Sequence, residues 1–218
     1  MIAKLGIQCS IYSTNNTKQY DKYLKCKKTS IVLCTGPAGT GKTMLACKYA
    51  IDELNDRRYN KMVITRPNVS VDEDMGYLPG DTLQKMHPWM LPIYDQLEKF
   101  SNRAMIVKYI KDNTIEVIPL GFMRGRTFDD TVILADEMQN STCKQMLNLL
   151  TRVGKNSKLI ITGDLLQCDI EDTNNGLQKL IKKLETYENQ LQGICHAELT
   201  EEDVKRSEIV KLILKIYS

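Results

Sequence analysis

Nine residues, TGPAGTGKT from Thr35 to Thr43, constrain this chain more than any other feature. They fit G-x-x-x-x-G-K-[ST] and lie between an apolar β-rich run, SIVLCT (30–35), and a helical pattern, GKTMLACKYAIDELN. A strand before and a helix after is the setting in which this spacing makes a phosphate loop. Gly36, Gly39 and Gly41 permit backbone angles that turn successive N–H groups toward one point. Gly36, Pro37, Ala38, Gly39, Thr40 and Gly41 then form, with the helix N-terminus, a cradle for an anion. Lys42 reaches the β- and γ-phosphates of a nucleotide, and the Thr43 hydroxyl ligates Mg²⁺.

A phosphate loop demands a parallel sheet, and the rest of the sequence supplies one. Short apolar runs recur at KMVIT (61–65), TIEVIPL (114–120), TVILA (131–135) and KLIIT (158–162), with a further short strand in ICHAEL. They are nearly continuous rather than alternating, as strands buried on both faces are. Helical patterns lie between several of them. In STCKQMLNLLTRVG, Thr142 and Gln145 make a capping box, Met146, Leu149, Leu150 and Val153 share a face, and Gly154 stops the helix. Alternation of this kind predicts an α/β fold, a mostly parallel sheet flanked by helices on both faces. Residues 67–103 interrupt the rhythm and read as a largely helical insertion covering one edge of the sheet. After Gly176 come a helix, the short strand, an acidic turn and a final helix from Ser207. Residues 1–15 read as an N-terminal extension, and the whole chain as one domain.

VILADEMQN (132–140) ends an apolar run in two acids, which is costly to bury unless a cation faces them. Downstream of a phosphate loop, Asp136 is placed to hold Mg²⁺. Glu137 is then free to orient and polarise an attacking water as general base.

Bulk properties set the class. The 218 residues are 42% apolar and 26% charged, ordinary for a globular protein, and the net charge of +3 permits nucleic-acid binding without demanding it. Seven scattered cysteines, with no C-x-x-C, point to a reducing compartment without a disulfide framework. Cys34 and Cys47 lie in apolar runs and read as small hydrophobes. No signal-peptide core or membrane-spanning run is present, so a cytoplasmic protein without membrane contact is expected. His196 reads as a strand-end surface residue.

GPAGTGKT, ITRPNV, GYLPGD, PLGFMRGRTFDD, ILADEMQN and LIITGDLLQCDI occur in this order. Together they resemble the PhoH-like ATPases, relatives of the first RecA-like domain of superfamily 1 helicases, over roughly residues 16–217. The resemblance implies a RecA-like P-loop NTPase core, ATP with Mg²⁺, work on single-stranded RNA (binding, remodelling or unwinding), and a homo-oligomer, a hexameric ring in family members. By the same resemblance Gln19 reads adenine, the alternative being a surface Gln. Gln167 senses the γ-phosphate from the turn formed by Thr162, Gly163 and Asp164. Arg66 falls in a segment that touches single strands in helicases. Arg124 and Arg126, in MRGR, can bind RNA phosphates, bridge subunits, or pair with Asp129 and Asp130. Arg206 is the candidate for a cation that completes a neighbouring copy's ATP site, since the one domain lacks the second wall that superfamily 1 helicases provide. Its alternative is pairing with Glu201, Glu202 or Asp203.

Two other function classes fit a phosphate loop. A small-molecule kinase needs an acceptor pocket and an Arg-rich lid. No such lid is evident, and a water-polarising Glu suits hydrolysis. A nucleotide switch with little turnover needs no further residues at all.

Overall fold

A computed structural model describes residues 12, 14–67, 82–170, 174–187, 192–205 and 216. Six strands form one sheet: β1 (Ile31–Thr35), β2 (Lys61–Thr65), β3 (Ile115–Val117), β4 (Thr131–Ala135), β5 (Lys158–Gly163) and β6 (Ile194–Glu198). Their order is β3-β2-β4-β5-β1-β6, and every neighbouring pair is parallel. β4 and β5 are buried along their whole length, which is why their sequences are nearly continuous apolar runs.

Alternate residues of each strand feed two separate cores. Val32, Cys34, Ile64 and Leu134 face one side. Leu33, Val63, Ile133 and Ile161 face the other. The first side is covered by α1 (Asn15–Lys25), α2 (Lys42–Asn55), α3 (Thr82–Glu98) and α4 (Arg103–Lys111). The second is covered by α5 (Cys143–Leu150) and α6 (Gly176–Thr186) through Met146, Leu149, Leu177 and Ile181. The expected α/β class with helices on both faces is the observed one. Cys34 and Cys47 are fully buried in the first core.

Several local expectations change. Residues 68–81 of the expected insertion, and Ser207 with all of its final helix but Ile216, lie outside the described residues. The rest of the insertion forms α3, which packs on α2 over one face of the sheet rather than along an edge. Met90, Ile93 and Leu97 recur at helical spacing and are buried in the first core. The run at 114–120 gives only three strand residues before a 3₁₀ turn at Leu120–Met123. The Thr142–Gln145 capping box is present, but α5 ends at Leu150, and Val153 bridges to Phe128 instead. Gly154 serves close packing: a Cβ there would lie 2.1 Å from Asp129 Oδ1.

Helix α1 is fixed at both ends by side chains. Thr14 and Thr17 cap the start of α1 reciprocally. At its other end the buried Lys158 ammonium donates to Leu24 O (2.6 Å) and Cys26 O (2.9 Å), carbonyls that the helix itself leaves open. Among the described residues no helix is long and apolar enough to cross a membrane.

Candidate nucleotide-binding site

In an all-parallel sheet the strands end on one edge, and ligands bind there. β5 lies between β1 and β4. The turn after β5 therefore stands between the loop after β1 and the acids after β4. These segments enclose a cleft of about 350 Å³, lined among others by Gly39, Gly41, Lys42, Thr43, Glu137, Asp164, Gln167 and Lys205.

The loop after β1 has the shape that an anion cradle needs. Gly36, Gly39 and Gly41 all have positive φ. At Gly36 the need for glycine is steric as well, since a Cβ would lie 2.1 Å from Leu199 O. That close approach belongs to a brace behind the loop. Leu199 N donates to Thr35 O (2.7 Å) and Lys205 N to Gly39 O (3.1 Å). The brace is clamped in turn by α1: Asp203 accepts from Thr14 Oγ1 and from Asn16 Nδ2.

Lys42 opens α2, and its ammonium folds back onto Gly36 O (2.6 Å) and Pro37 O (2.9 Å). Burial pushes it below the usual lysine range, against the pull of Asp164, Glu137 and Asp136. It is a desolvated cation held by neutral carbonyls, at a place where phosphate oxygens would restore its charge.

Thr43 Oγ1 donates to Asp136 Oδ1 at 2.7 Å. A hydroxyl and a carboxylate converging beside a phosphate cradle form a hard oxygen donor set, which fits Mg²⁺. Asp136 is 1% exposed. Thr162 Oγ1 also donates to Oδ1 (2.5 Å), and Arg66 donates to Oδ2 through Nε (3.0 Å) and Nη2.

Glu137 departs from Asp136 because its backbone is left-handed, φ 55° and ψ 38°. A non-glycine residue there carries strain of about 1 kcal/mol or more, and such outliers gather at working sites. The turn takes Glu137 from the buried strand end to an exposed position on the cleft. Gln139, 2% exposed, fixes it: Nε2 donates to Glu137 Oε2 (2.7 Å) while Oε1 accepts from Asp164 N (3.1 Å). Asn140 and Asp169 exchange two further bonds at 2.9 Å each, which tie the turns after β4 and β5 together. Gln167 lies exposed on the second of these turns and faces the same cleft.

Not every expected residue reaches the site. Gln19 is exposed on α1 and is not among the residues lining the cleft. The buried stripe of α1 is Thr17, Tyr20 and Leu24, which turns Gln19 to solvent. Arg66 is bound to Asp136 inside the cleft wall rather than offered to a strand. Arg126 is neither a free contact residue nor paired with Asp129 or Asp130. It forms a bidentate pair with Glu116 (2.9 and 3.0 Å) and lies 4.8 Å from the centre of the Phe128 ring. The Arg126 hydrogen bonds hold the Glu116 carboxyl below the usual range despite partial burial. Arg124, beyond the 3₁₀ turn, is exposed. His196 is half-buried within β6, with Nε2 2.8 Å from Thr35 Oγ1 at the root of the phosphate loop. Arg206 lies outside the described residues.

The family profile described as PhoH-like protein matches residues 11–218. The chain belongs to the PhoH-like family. A PhoH-like protein of a Synechocystis species is 38% identical over 205 residues, covering 94% of this chain and 61% of that protein. Protein PhoH of Escherichia coli K12 is 34% identical over 200 residues, covering 90% of this chain and 55% of that protein. The PhoH-like chain thus spans less than two thirds of the length of these relatives. Among solved structures, Pif1 helicase from Candida albicans aligns with 93% of this chain and 43% of its own, with a TM-score of 0.43 and 16% identity. The parallel α/β core and the glycine loop closed by Lys42 and Thr43 give this PhoH-like chain the phosphate-loop arrangement that its sequence predicts.

The residues that sequence reading missed are the partners rather than the principals. Gln139 could have been found, since it follows Glu137 by two and belongs to DEMQ. Arg66 and Asp136 are 70 positions apart, and nothing local signals their pairing.

Proposed function

We propose that this PhoH-like chain is a Mg²⁺-dependent ATPase that couples ATP binding and hydrolysis to binding and remodelling of single-stranded RNA. The observation that carries the hydrolytic part is Glu137, an exposed carboxylate turned into the phosphate cleft by a strained backbone and locked there by Gln139. A protein that only bound nucleotide has no use for a carboxylate so placed.

The loop N–H groups and Lys42 bind the phosphates, and Thr43 with Asp136 holds the cation. When bound, Mg²⁺ neutralises charge on the β- and γ-phosphate oxygens. Glu137 orients a water in line with the γ-phosphate and accepts its proton. Gln139 keeps that carboxylate from rotating away. Gln167, on the turn tied to the acids, contacts the γ-phosphate and reports its loss.

The RNA part draws on the resemblance to helicase-related ATPases and on the exposed Arg124. Contacts of this kind are made to phosphate, so binding is salt-sensitive and weakly sequence-specific. The deciding experiment is ATP turnover by the purified chain with and without single-stranded RNA. Free phosphate released without an acceptor, and faster with RNA, is the expected result. Turnover indifferent to RNA at low salt removes the RNA coupling and leaves an ATPase.

We also propose that copies of the chain assemble head to tail into a closed ring, with Arg206 completing the neighbour's site. The brace runs as far as Lys205, whose amide donates to Gly39 O of the same copy. The assignment of Arg206 itself draws on the family resemblance and on the single domain's open ATP site. Co-assembly separates the two arrangements. Lys42→Ala subunits keep Arg206, and Arg206→Ala subunits keep the phosphate loop. Each alone should be nearly inactive, and mixed oligomers should recover part of the activity. Verified mixed oligomers without recovery would overturn the assignment of Arg206 to a neighbour's site.

A further inference from the structure

A carboxylate has two oxygens and about four lone-pair positions. At Asp136 all four are taken. Oδ1 accepts from Thr43 and Thr162, and Oδ2 accepts twice from Arg66. A divalent cation, or a water bound to it, needs one of those positions. One donor has to leave, and the three side chains are not equally able to do so.

Thr43 can bind a cation through its oxygen and still donate its proton to Asp136. Thr162 is 1% exposed on a central strand and has no room to withdraw. Arg66 lies one residue past the end of β2, and its side chain is 18% exposed. It is also the one donor that carries a positive charge. A guanidinium and a divalent cation on the same carboxylate oxygen repel, and burial strengthens that repulsion.

We propose that Arg66 is a place-holder for the divalent cation: it neutralises the buried Asp136 carboxylate until Mg²⁺ arrives with the nucleotide, and it is then expelled from Oδ2. Without a positive partner, a carboxylate as deeply buried as Asp136 would be costly to keep ionised. Arg66 removes that cost in the metal-free protein, and the metal removes it afterwards. The exchange has a mechanical consequence. It ties occupancy of the nucleotide site to the position of the chain leaving β2.

A second feature of the same strand end agrees with two arrangements. Thr65 Oγ1 is fully buried, and it is the one buried side-chain polar atom without a hydrogen-bond partner among the described residues. Leaving a buried hydroxyl unpaired costs about 1–3 kcal/mol. A shift at residues 65 and 66 as the guanidinium leaves gives that hydroxyl a chance to find a partner.

The inference rests on Thr43 and Asp136 being the cation's ligands, so the experiment separates that reading from the exchange. The full chain, saturated with ADP, is titrated with Mn²⁺, and free Mn²⁺ is read by electron paramagnetic resonance. Competition with a charge-assisted pair weakens metal binding, so Arg66→Ala should bind Mn²⁺ about tenfold more tightly than the parent. Equal or weaker binding in Arg66→Ala overturns the exchange; weaker binding makes Arg66 a residue that positions Asp136. No Mn²⁺ binding by the parent overturns the ligand assignment and the exchange together. A second measurement needs no disabling variant. In protein labelled with ¹⁵N-arginine, the Arg66 Nε–H signal, assigned by its loss in Arg66→Lys, should be protected from solvent exchange without metal. With ADP and Mg²⁺ it should lose that protection. A signal that stays protected contradicts the proposal even if Arg66→Ala fails to fold.

Discussion

Glu137→Gln should bind Mg–ATP as tightly as the parent and hydrolyse it about a thousandfold more slowly, the scale expected when a general base is removed. The substitution is nearly isosteric, so the geometry of the turn after β4 survives it. The left-handed backbone at Glu137 is a property of the turn and not of the carboxylate. The Gln139 bond also survives, because the amide oxygen of a glutamine at 137 can still accept from Nε2. What is lost is the ability to take a proton from water. Binding is read with a fluorescent ATP analogue, and hydrolysis by single-turnover phosphate release, so that product release cannot mask the chemical step. A parent-like rate in Glu137→Gln would remove Glu137 as the base. A loss of affinity matching the loss of rate would make it a binding residue. Gln139→Leu probes the same idea from behind: Glu137 keeps its charge but loses its lock, so turnover should fall with little change in affinity.

The order of strands and helices was legible because each is written in contiguous residues. Buried parallel strands need nearly unbroken apolar runs, and β1, β2, β4 and β5 lie within such runs with their ends nearly where expected, while β6 lies in the mixed stretch ICHAEL. The phosphate loop was legible for the same reason, since its glycines, Lys42 and Thr43 are neighbours in the chain. Legibility failed where structure depends on elements brought together by topology. Arg126 looked available, because the acids near it in sequence are Asp129 and Asp130. Its actual partner, Glu116, is on β3, and a bidentate pair beside the Phe128 ring outweighs solvation of a partly exposed guanidinium. The clamp between Thr14 and Asp203 spans 189 positions, and it braces the phosphate loop from behind. The placing of Gln19 outside the cleft lining has a local reason that was in principle readable. Thr17, Tyr20 and Leu24 mark the buried face of α1 at helical spacing, and Gln19 is off that face.

Lys42→Ala should lose nucleotide binding by about a hundredfold or more, since two charge-assisted hydrogen bonds to phosphate are each worth about 1.5–3 kcal/mol. The same variant should fold as well as the parent or slightly better, and this second expectation makes the first informative. The Lys42 ammonium is largely desolvated and is held by two carbonyl oxygens, Gly36 O and Pro37 O. Burial is the main force on its ionisation, and it acts downward. The acids of the cleft pull the other way without prevailing. A cation in that state does not stabilise the fold; it is a charge kept out of water for a ligand to use. Removing it takes away the burial cost along with the function. The sign follows from linkage. A lysine whose folded value is lowered binds fewer protons in the native state than in the unfolded one. Its unfavourable contribution is therefore fully present below the folded value and fades as pH rises toward the ordinary lysine range. Thermal unfolding of parent and Lys42→Ala across neutral to alkaline pH should show the parent gaining on the variant as pH rises. Nucleotide affinity, read by calorimetry, should stay far weaker in the variant throughout. A variant that unfolds several degrees lower at neutral pH would show that Lys42 holds the loop together, and the weak binding would then report a collapsed cradle. A variant that folds normally and binds ATP like the parent would leave the cradle without its cation, and the assignment of the phosphate site would fail with it.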